Sequence, residues 1–335
     1  MSQFFNSRFF FILKTLSCMC LFLCCLALFL YGVIWVATLL FCLPKYLWMN
    51  IEIIRHKSFI VLLIPTLLWG IWWFIYVFKN QNEIIITKLK ASLLDETKHK
   101  EIYQKISLLS MALNIKMPKL YQVTDTGINS LLISNSKQES ILIFSSQLIY
   151  QNKIDDIINM STFHLAYIAN KRNAFNTFII ALTSCFSHWF EIIMLRFFKT
   201  RELPFHLERF RPLFYPIRFV LLPLVAVLSI FALYDRLIAP ILAFFFVKNS
   251  TFDEDKKAIL LLKTPQKYIN TLYLVQDNPR VSAFENGAMF ISCFQDPRDH
   301  LVFLKLIDTH PSIEKRIQKI KKEFKAYFIY EKEEE

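Results

Sequence analysis

Two long stretches without a charged residue constrain this chain more than any other feature of its sequence. The first runs from Thr15 to Leu43 and the second from Ser58 to Phe78. A helix needs roughly 20 apolar residues to cross the hydrocarbon core of a bilayer, which is about 30 Å thick. Both stretches are long enough. We therefore expect an integral membrane protein whose first span lies within Phe9–Leu43 and whose second span is Phe59–Phe78.

Two further apolar segments follow in the second half of the chain, Phe175–Leu195 and Phe219–Val247. The former contains Glu191, and the latter contains the adjacent Asp235 and Arg236. A lone charge at the centre of a bilayer costs roughly 2.5–3.5 kcal/mol on insertion scales, so these residues should be paired or lie near an interface. The sequence therefore predicts about four transmembrane helices.

The charge and cysteine content exclude some classes of protein. The net charge of +12 is spread along the chain and is not gathered into one basic patch, so we predict no nucleic acid partner. Attraction to anionic lipid headgroups explains the same balance more simply. Only Cys293 of the seven cysteines falls in a soluble region, which excludes a disulfide framework there.

The polar parts of the chain predict a mainly helical fold with a small β-sheet, an α+β fold. Periodic apolar residues favour one helix over Ala91–Asn114 and another over Asp155–Arg172. Lys248–Glu335 is predicted to be soluble and mainly helical. Three short apolar or β-branched runs between polar turns are predicted strands: Lys119–Thr124, Ser130–Ser134 and Ile141–Phe144.

These segments divide the chain into four regions. Residues 1–80 are a membrane region with two spans, 81–174 a first soluble part, 175–247 a transmembrane pair with a basic loop, and 248–335 a second soluble part with an acidic tail. The loop Lys199–Arg218 contains five Lys and Arg residues. Because short cytoplasmic loops usually have this excess, the loop would lie inside, and if four full spans exist both soluble parts would then lie outside.

Three stretches, in this order, resemble the HtpX-like and CAAX-prenyl-protease family of membrane zinc metallopeptidases. Ile128–Leu131, with the following Ile141–Leu148, is similar to the family's Asn-Ala-Phe edge strand, next strand and start of the active-site helix. Phe163–Arg172 (FHLAYIANKR) is similar in frame to H-E-x-x-H-I-x-N-R-D. Asp308–Ile317 (DTHPSIEKRI) closely matches T-H-P-x-x-x-x-R-I, and Thr251–Asp255 (TFDED) lies where the family has E-x-x-x-D.

The resemblance implies a gluzincin-like metallopeptidase domain that is split by the third and fourth spans, in a bacterial inner membrane with its soluble regions in the cytoplasm. Such a site needs two His one helical turn apart, a Glu beside the first His as general base, and a third ligand from a later helix. In this frame Phe163 stands in place of the first His, His164 in place of the general base, Tyr167 in place of the second His and Thr251 in place of the third ligand. We therefore predict no catalytic residue, no metal ligand and no cofactor.

The four replacements are consistent with a repacked, dry site. Phe163 and Tyr167 lie one turn apart on one face of a helix and can fill the vacated space as an aromatic pair. Thr251 removes a negative charge that would otherwise be buried without a partner. The sequence thus predicts a pseudopeptidase that acts by binding, as a regulator or structural subunit of a membrane complex or of envelope quality control.

The edge strand at Asn129–Ile133 is where the resemblance implies that an extended polypeptide adds to the sheet. Strand addition needs only backbone groups, so it survives the loss of zinc. The predicted partners are the lipid bilayer and another membrane protein or polypeptide segment within a larger complex. The predicted binding residues of the strand and the old cleft are Asn129, Ser130, Leu131, Asp255, His310 and Arg316.

Two other function classes stay open. One is an active HtpX-type zinc endopeptidase with a rearranged site, for which His164, His310 and either Asp255 or Glu254 are the available ligands. This alternative predicts zinc bound tightly and in stoichiometric amount. The other is a channel or transporter component, in which the charged residues of the last two apolar segments line a water path.

Overall fold

A computed structural model of the chain describes residues 74–134, 139–151, 154–183, 251–277, 281–285, 289–297 and 310–325, together with 17, 68, 71, 72, 242 and 327. The predicted spans Phe9–Leu43 and Phe219–Val247 lie outside the described residues, except for single positions, as do parts of the other two spans. The same holds for Glu191, Asp235, Arg236 and the basic loop. Among the described residues, no helix combines the length and the apolar character needed to cross a bilayer.

The chain divides into two compact units. One comprises Met1–Tyr76 and Thr183–Ile238, most of which lies outside the described residues. The other comprises Val77–Leu182 and Ala239–Glu335 and contains the sheet and the candidate site. Within this second unit, two stretches that are far apart in the sequence fold around one core.

The described elements give a mainly helical fold with one small mixed sheet, as the sequence predicts. Helix α1 covers residues 74–89. The elements that follow it are β1 (Ser92–Leu93), α2 (Lys100–Ala112), β2 (Lys119–Val123), β3 (Ser130–Ser134), β4 (Ser140–Ser145), α3 (Ser146–Gln151), α4 (Ile154–Ala169), α5 (Arg172–Thr183), α6 (Thr251–Leu262), α7 (Pro265–Asp277) and α8 (Ile313–Glu323). Two short 3₁₀ turns, Ser282–Glu285 and Met289–Ser292, lie between α7 and α8.

The four strands are arranged in the order β1-β2-β4-β3, which leaves β3 at one edge. Strand β4 is parallel to β2 and antiparallel to β3, with Leu131 opposite Ile143. The predicted strand Ser130–Ser134 is confirmed at both ends, and Ile141–Phe144 is longer by one residue on each side. All residues of β3 and β4 are buried, which explains why their sequences are apolar runs that do not alternate with polar residues.

One hydrophobic core joins the sheet to the helices of both sequence stretches. Leu120 and Phe144 contribute from the sheet, Phe163 from α4, and Ile259 and Ile317 from α6 and α8. On α8 the buried side chains follow a helical spacing of three and four residues, and Ser312 caps the helix by accepting a hydrogen bond from the Lys315 backbone nitrogen. The described part of the DTHPSIEKRI stretch, from His310 onward, is therefore a helix start whose apolar face is turned to the core.

The predicted helix over Ala91–Asn114 is wrong in its first third. Ser92 and Leu93 pair with β2, and the helix begins only at Lys100. The reason is local: the Asp95 carboxylate accepts hydrogen bonds from the backbone nitrogen and the hydroxyl of Thr97. These two bonds stabilise a turn that competes with a helix.

The predicted helix over Asp155–Arg172 is also too long. It ends at Ala169, and α5 begins at Arg172 after a turn in which Lys171 has a φ of 57°. Lys90, Asn114 and Lys263 adopt the same left-handed conformation at other helix ends. Glycine usually takes this position, but the whole chain has only 4 glycines. Lysine and asparagine therefore bear the steric cost of ending these helices.

Candidate functional site

Helix α4 places three of the four family-frame positions, Phe163, His164 and Tyr167, inside the core. Phe163 and Tyr167 lie one turn apart, with ring centroids separated by 6.1 Å. Both side chains are buried, and the Tyr167 hydroxyl accepts a hydrogen bond from the Asn176 amide nitrogen at 3.0 Å. The Phe163 ring also meets Phe294 edge to face at 5.0 Å. Aromatic rings therefore fill the position at which the family frame has imidazoles.

A fully buried ion pair lies against these rings. Arg316 Nη2 is 2.6 Å from Asp255 Oδ1, and Arg316 Nε is 2.9 Å from Asp255 Oδ2. Tyr268 donates a third bond to the same carboxylate at 2.6 Å. The Arg316 guanidinium carbon lies 4.6 Å from the ring centroid of Phe294 and 5.2 Å from that of Phe163. Burial opposes the charge of Arg316, but the facing Asp255 outweighs it and raises the arginine pKa above its ordinary value.

His164 points away from this ion pair toward the sheet. Its Nε2 lies 2.9 Å from the Ser130 hydroxyl oxygen on β3, and the ring is buried. Burial lowers the pKa of His164 to about 3, while a hydrogen bond with the Ser130 backbone opposes the shift and the nearby Arg316 and His310 add to it. The imidazole is therefore neutral at pH 7 and ties α4 to the edge strand.

The N-terminal part of α6 contributes Thr251, which is buried, and the adjacent buried carboxylates of Glu254 and Asp255. Asp255 faces Arg316, whereas Glu254 accepts two hydrogen bonds from Arg172 Nη1, at 2.7 and 3.0 Å. Asn170 donates to the same carboxylate at 3.1 Å. Burial raises the pKa of Glu254 to about 7 even though Arg172 and Asn170 lower it.

The outer edge of β3 is paired at its first two residues, Ser130 and Leu131, with a segment of the chain itself. Leu131 forms an antiparallel bridge with Cys293, and the Phe294 backbone nitrogen donates to the Ser130 carbonyl oxygen at 3.0 Å. The Asn129 side chain donates to the Gln295 carbonyl oxygen at 2.8 Å. We call residues 293–295 the edge segment. It occupies the place where the sequence predicts that a polypeptide adds to the sheet.

The residues around this cleft do not fit a zinc site. His164 is bonded to Ser130, and the His310 Nε2 lies 3.1 Å from the Cys293 carbonyl oxygen. Asp255 and Glu254 are each bound to an arginine. Among the residues that the structure describes, no three His, Cys, Asp or Glu side chains come together as a metal-binding group. The rearranged ligand set proposed from the sequence is thus not assembled in this arrangement.

Comparisons with known proteins point to one relationship. The chain is 21% identical over 257 residues to the protein named Protease HtpX homolog of Streptococcus pneumoniae (strain Taiwan19F-14), which covers 72% of this chain and 80% of that protein. The homologue of the same name in Pediococcus pentosaceus is 21% identical over 246 residues, with the same coverage. No protein-family model matches the chain, and no solved structure does.

These similarities support an HtpX-like relationship. In the frame of the sequence resemblance, α4 corresponds to the family's active-site helix and β3 to its edge strand, and α6 and α8 correspond to its later helices. Five of the six predicted binding residues, all except Asp255, contact the edge segment directly. Asp255 holds Arg316 in place.

The sequence analysis missed Phe294, Gln295 and Tyr268. Phe294 is fully buried between Phe163 and the Arg316 guanidinium, and its neighbours are far away in the sequence. Tyr268 is on α7, which shows no motif around it. No sequence signal separates these residues from ordinary core residues, because their role arises only from contacts between distant segments.

Proposed function

We propose that this protein is a membrane-embedded, zinc-free pseudopeptidase that acts by binding and not by cleavage. The observation that carries the proposal is the packing of Phe163, Tyr167 and Phe294 around the buried Arg316–Asp255 ion pair. Rings and a guanidinium are not zinc ligands, and the positive charge of Arg316 would repel a divalent cation from this space. Activation of a water molecule against a peptide bond has no group to perform it here.

The membrane part of the proposal rests on the long uncharged stretches of the sequence and on the HtpX-like similarity. The bilayer anchors the chain, and the unit around the sheet lies in the cytoplasm of a bacterial cell, at the inner membrane. Its partner is another membrane protein or a polypeptide segment, within a complex of which this protein is a regulator or structural subunit. Strand addition at β3, in the place that the edge segment occupies beside Asn129 and Arg316, is the binding mode that best matches the site.

Metal analysis of the full chain, purified in mild detergent, tests the loss of chemistry. After equilibration with zinc and removal of the excess, we expect well below one zinc per chain. We also expect that the protein has no chelator-sensitive activity against casein. One zinc per chain together with chelator-sensitive cleavage would overturn the proposal.

The active peptidase stays the second candidate, because the similar proteins are named proteases. The double variant H164Q/H310Q separates the two. If bound zinc were held by a rearranged site, this variant would lose it. If the zinc were adventitious, the variant would retain the same trace amount as the unmodified chain.

A further inference from the structure

The edge segment is held by its backbone, in the way that a cleft holds a peptide. The Phe294 nitrogen donates to the Ser130 carbonyl oxygen at 3.0 Å. The Asn129 side chain binds both polar groups of the next residue: its amide nitrogen donates to the Gln295 carbonyl oxygen at 2.8 Å, and its oxygen accepts from the Gln295 nitrogen at 3.4 Å. These bonds read the backbone and are independent of side-chain identity.

The opposite wall of the cleft binds the remaining carbonyl groups. His310 Nε2 lies 3.1 Å from the Cys293 carbonyl oxygen, and Arg316 Nη1 donates to the Phe294 carbonyl oxygen at 2.8 Å. Arg316 also donates to the Gln295 side-chain oxygen at 3.2 Å. Every backbone carbonyl of the edge segment therefore has a donor or ring nitrogen of the cleft beside it.

One side chain of the edge segment anchors it. The Phe294 ring has no solvent exposure and is 5.0 Å from Phe163, 6.3 Å from Tyr268 and 4.6 Å from the Arg316 guanidinium carbon. Edge-to-face rings and a guanidinium over a ring favour an aromatic side chain at this position. A lysine or arginine there would face the charge of Arg316.

We propose that this cleft is a polypeptide-binding site whose resident ligand is the chain's own edge segment. An external ligand is an extended polypeptide with an aromatic side chain in the position of Phe294, and it enters by displacing the edge segment. That such a ligand is a physiological partner rests on the proposed binding function. The occupation of the cleft by the edge segment rests only on the contacts described above.

Displacement has a measurable consequence for affinity. When only a fraction of the protein has an open cleft, the apparent dissociation constant for a competing peptide rises by the inverse of that fraction. A change that removes the anchor of the edge segment raises the open fraction. It should therefore tighten the binding of an external peptide without adding any contact to it.

The probe is a fluorescent, end-blocked peptide with the sequence Ile-Ser-Ser-Phe-Gln-Asp, which copies residues 291–296 with serine in place of Cys293. We expect the full-length F294A variant to bind it at least about tenfold more tightly than the unmodified chain.

The matched control is F290A, which removes an equally buried ring from the adjacent turn and should leave the affinity unchanged. A second peptide with alanine in place of phenylalanine should bind F294A at least about tenfold more weakly. Equal affinity of the unmodified chain and F294A, or of the two peptides, would refute the proposal.

A reversible lock tests the same point through a different bond. Leu131 and Cys293 face each other as a non-hydrogen-bonded antiparallel pair, for which the Cα atoms are about 4.5 Å apart. This separation allows a disulfide. In the F294A/L131C variant, oxidation should abolish probe binding and reduction should restore it. Binding that survives oxidation would show that the probe uses another surface.

The unmodified chain provides a measurement that does not depend on the folding of any variant. Cys293 is buried, and its backbone belongs to the edge segment. Excess probe should accelerate the labelling of Cys293 by N-ethylmaleimide, read by peptide mapping, whereas the alanine peptide should not. Unchanged labelling would contradict displacement. A positive zinc analysis would refute the zinc-free proposal but not the displacement proposal. Failure of the competition experiments would refute the displacement proposal but not the zinc-free one.

Discussion

Two neighbouring carboxylates on α6 are each paired with an arginine, and the pairs behave differently. Asp255 faces Arg316, and neither side chain has more than 2% exposure. Glu254 faces Arg172, whose side chain is 36% exposed. The Arg316 pair is closed by Tyr268 and two aromatic rings, whereas the Arg172 pair is open to water on one side.

The difference shows that burial alone does not decide what an ion pair does. Arg316 donates hydrogen bonds to the core from three of its nitrogens. Removing the Asp255 carboxylate would therefore leave its positive charge buried without a counter-charge and without access to water. Arg172 keeps access to water, so the pair with Glu254 attracts less strongly, and burial raises the pKa of that carboxyl to about 7. The first pair fixes the cleft, and the second titrates near neutral pH.

The largest expected effect comes from neutralising the buried carboxylate. D255N retains the shape of the side chain but leaves the Arg316 guanidinium without a counter-charge. We expect a loss of about 3–5 kcal/mol in the free energy of unfolding at pH 7. The matched change E254Q should cost about 1 kcal/mol or less, because Arg172 is partly exposed and keeps its ion pair with Asp253. Denaturant unfolding of the full chain in detergent measures both, and equal costs would remove the distinction between the two pairs.

His164, which lies near the Arg316 pair, and Glu254 of the Arg172 pair should respond to pH in opposite directions. His164 takes up a proton at about 6.5 in the unfolded chain but only at about 3 in the folded one, so acidification below 6.5 destabilises the fold by up to about 1.4 kcal/mol per pH unit. Glu254 has a raised pKa in the folded chain, so its contribution to stability is lost as the pH rises from about 4.5 to about 7.

Unfolding profiles between pH 4.5 and 7 separate the two groups. The stability of the unmodified chain relative to H164Q should increase with pH, and its stability relative to E254Q should decrease. Parallel profiles for the two variants would show that neither residue has the shifted pKa that its burial implies.

The smallest expected effect concerns the turn between α4 and α5, next to Arg172. Lys171 has a φ of 57°, a conformation that costs a non-glycine residue about 1–2 kcal/mol. Lys171→Gly removes this steric cost, but glycine loses more backbone entropy on folding, which offsets part of the gain. The net free energy of unfolding should therefore rise by about 0.5–1 kcal/mol. The control Lys105→Gly, in the middle of α2, should lower it by about 1 kcal/mol. A loss in both variants would mean that the Lys171 side chain stabilises the turn.

Local patterns were enough to predict three of the four strands, β2, β3 and β4, and the α+β class, but not β1, which falls in a predicted helix. Ser130–Ser134 and Ile141–Phe144 are short apolar runs between polar turns, and the structure has strands there. The position of Phe163 and Tyr167 one turn apart on α4 is equally local. What these residues share is that their partners lie within one or two turns or strands.

The remaining features depend on contacts that no local pattern contains. Asn129 binds Gln295 across 166 residues of sequence, and Arg316 reaches Asp255 across 61. The turn at Asp95–Thr97 replaced predicted helix through two side-chain bonds that compete with the helical backbone. The transmembrane count and the loss of zinc chemistry stay predictions from the sequence.

The distribution of the core over two distant stretches has a consequence for synthesis. The sheet and α4 leave the ribosome first, and α8 ends 154 residues after α4 ends. At roughly 5–20 residues per second, the newly made first half waits about 8–30 s for the helices that cover Phe163 and its neighbours. During that interval its sheet edge and aromatic rings lack the helices that cover them in the folded protein. We therefore expect a nascent chain of this kind to need chaperones more than a chain with a contiguous core.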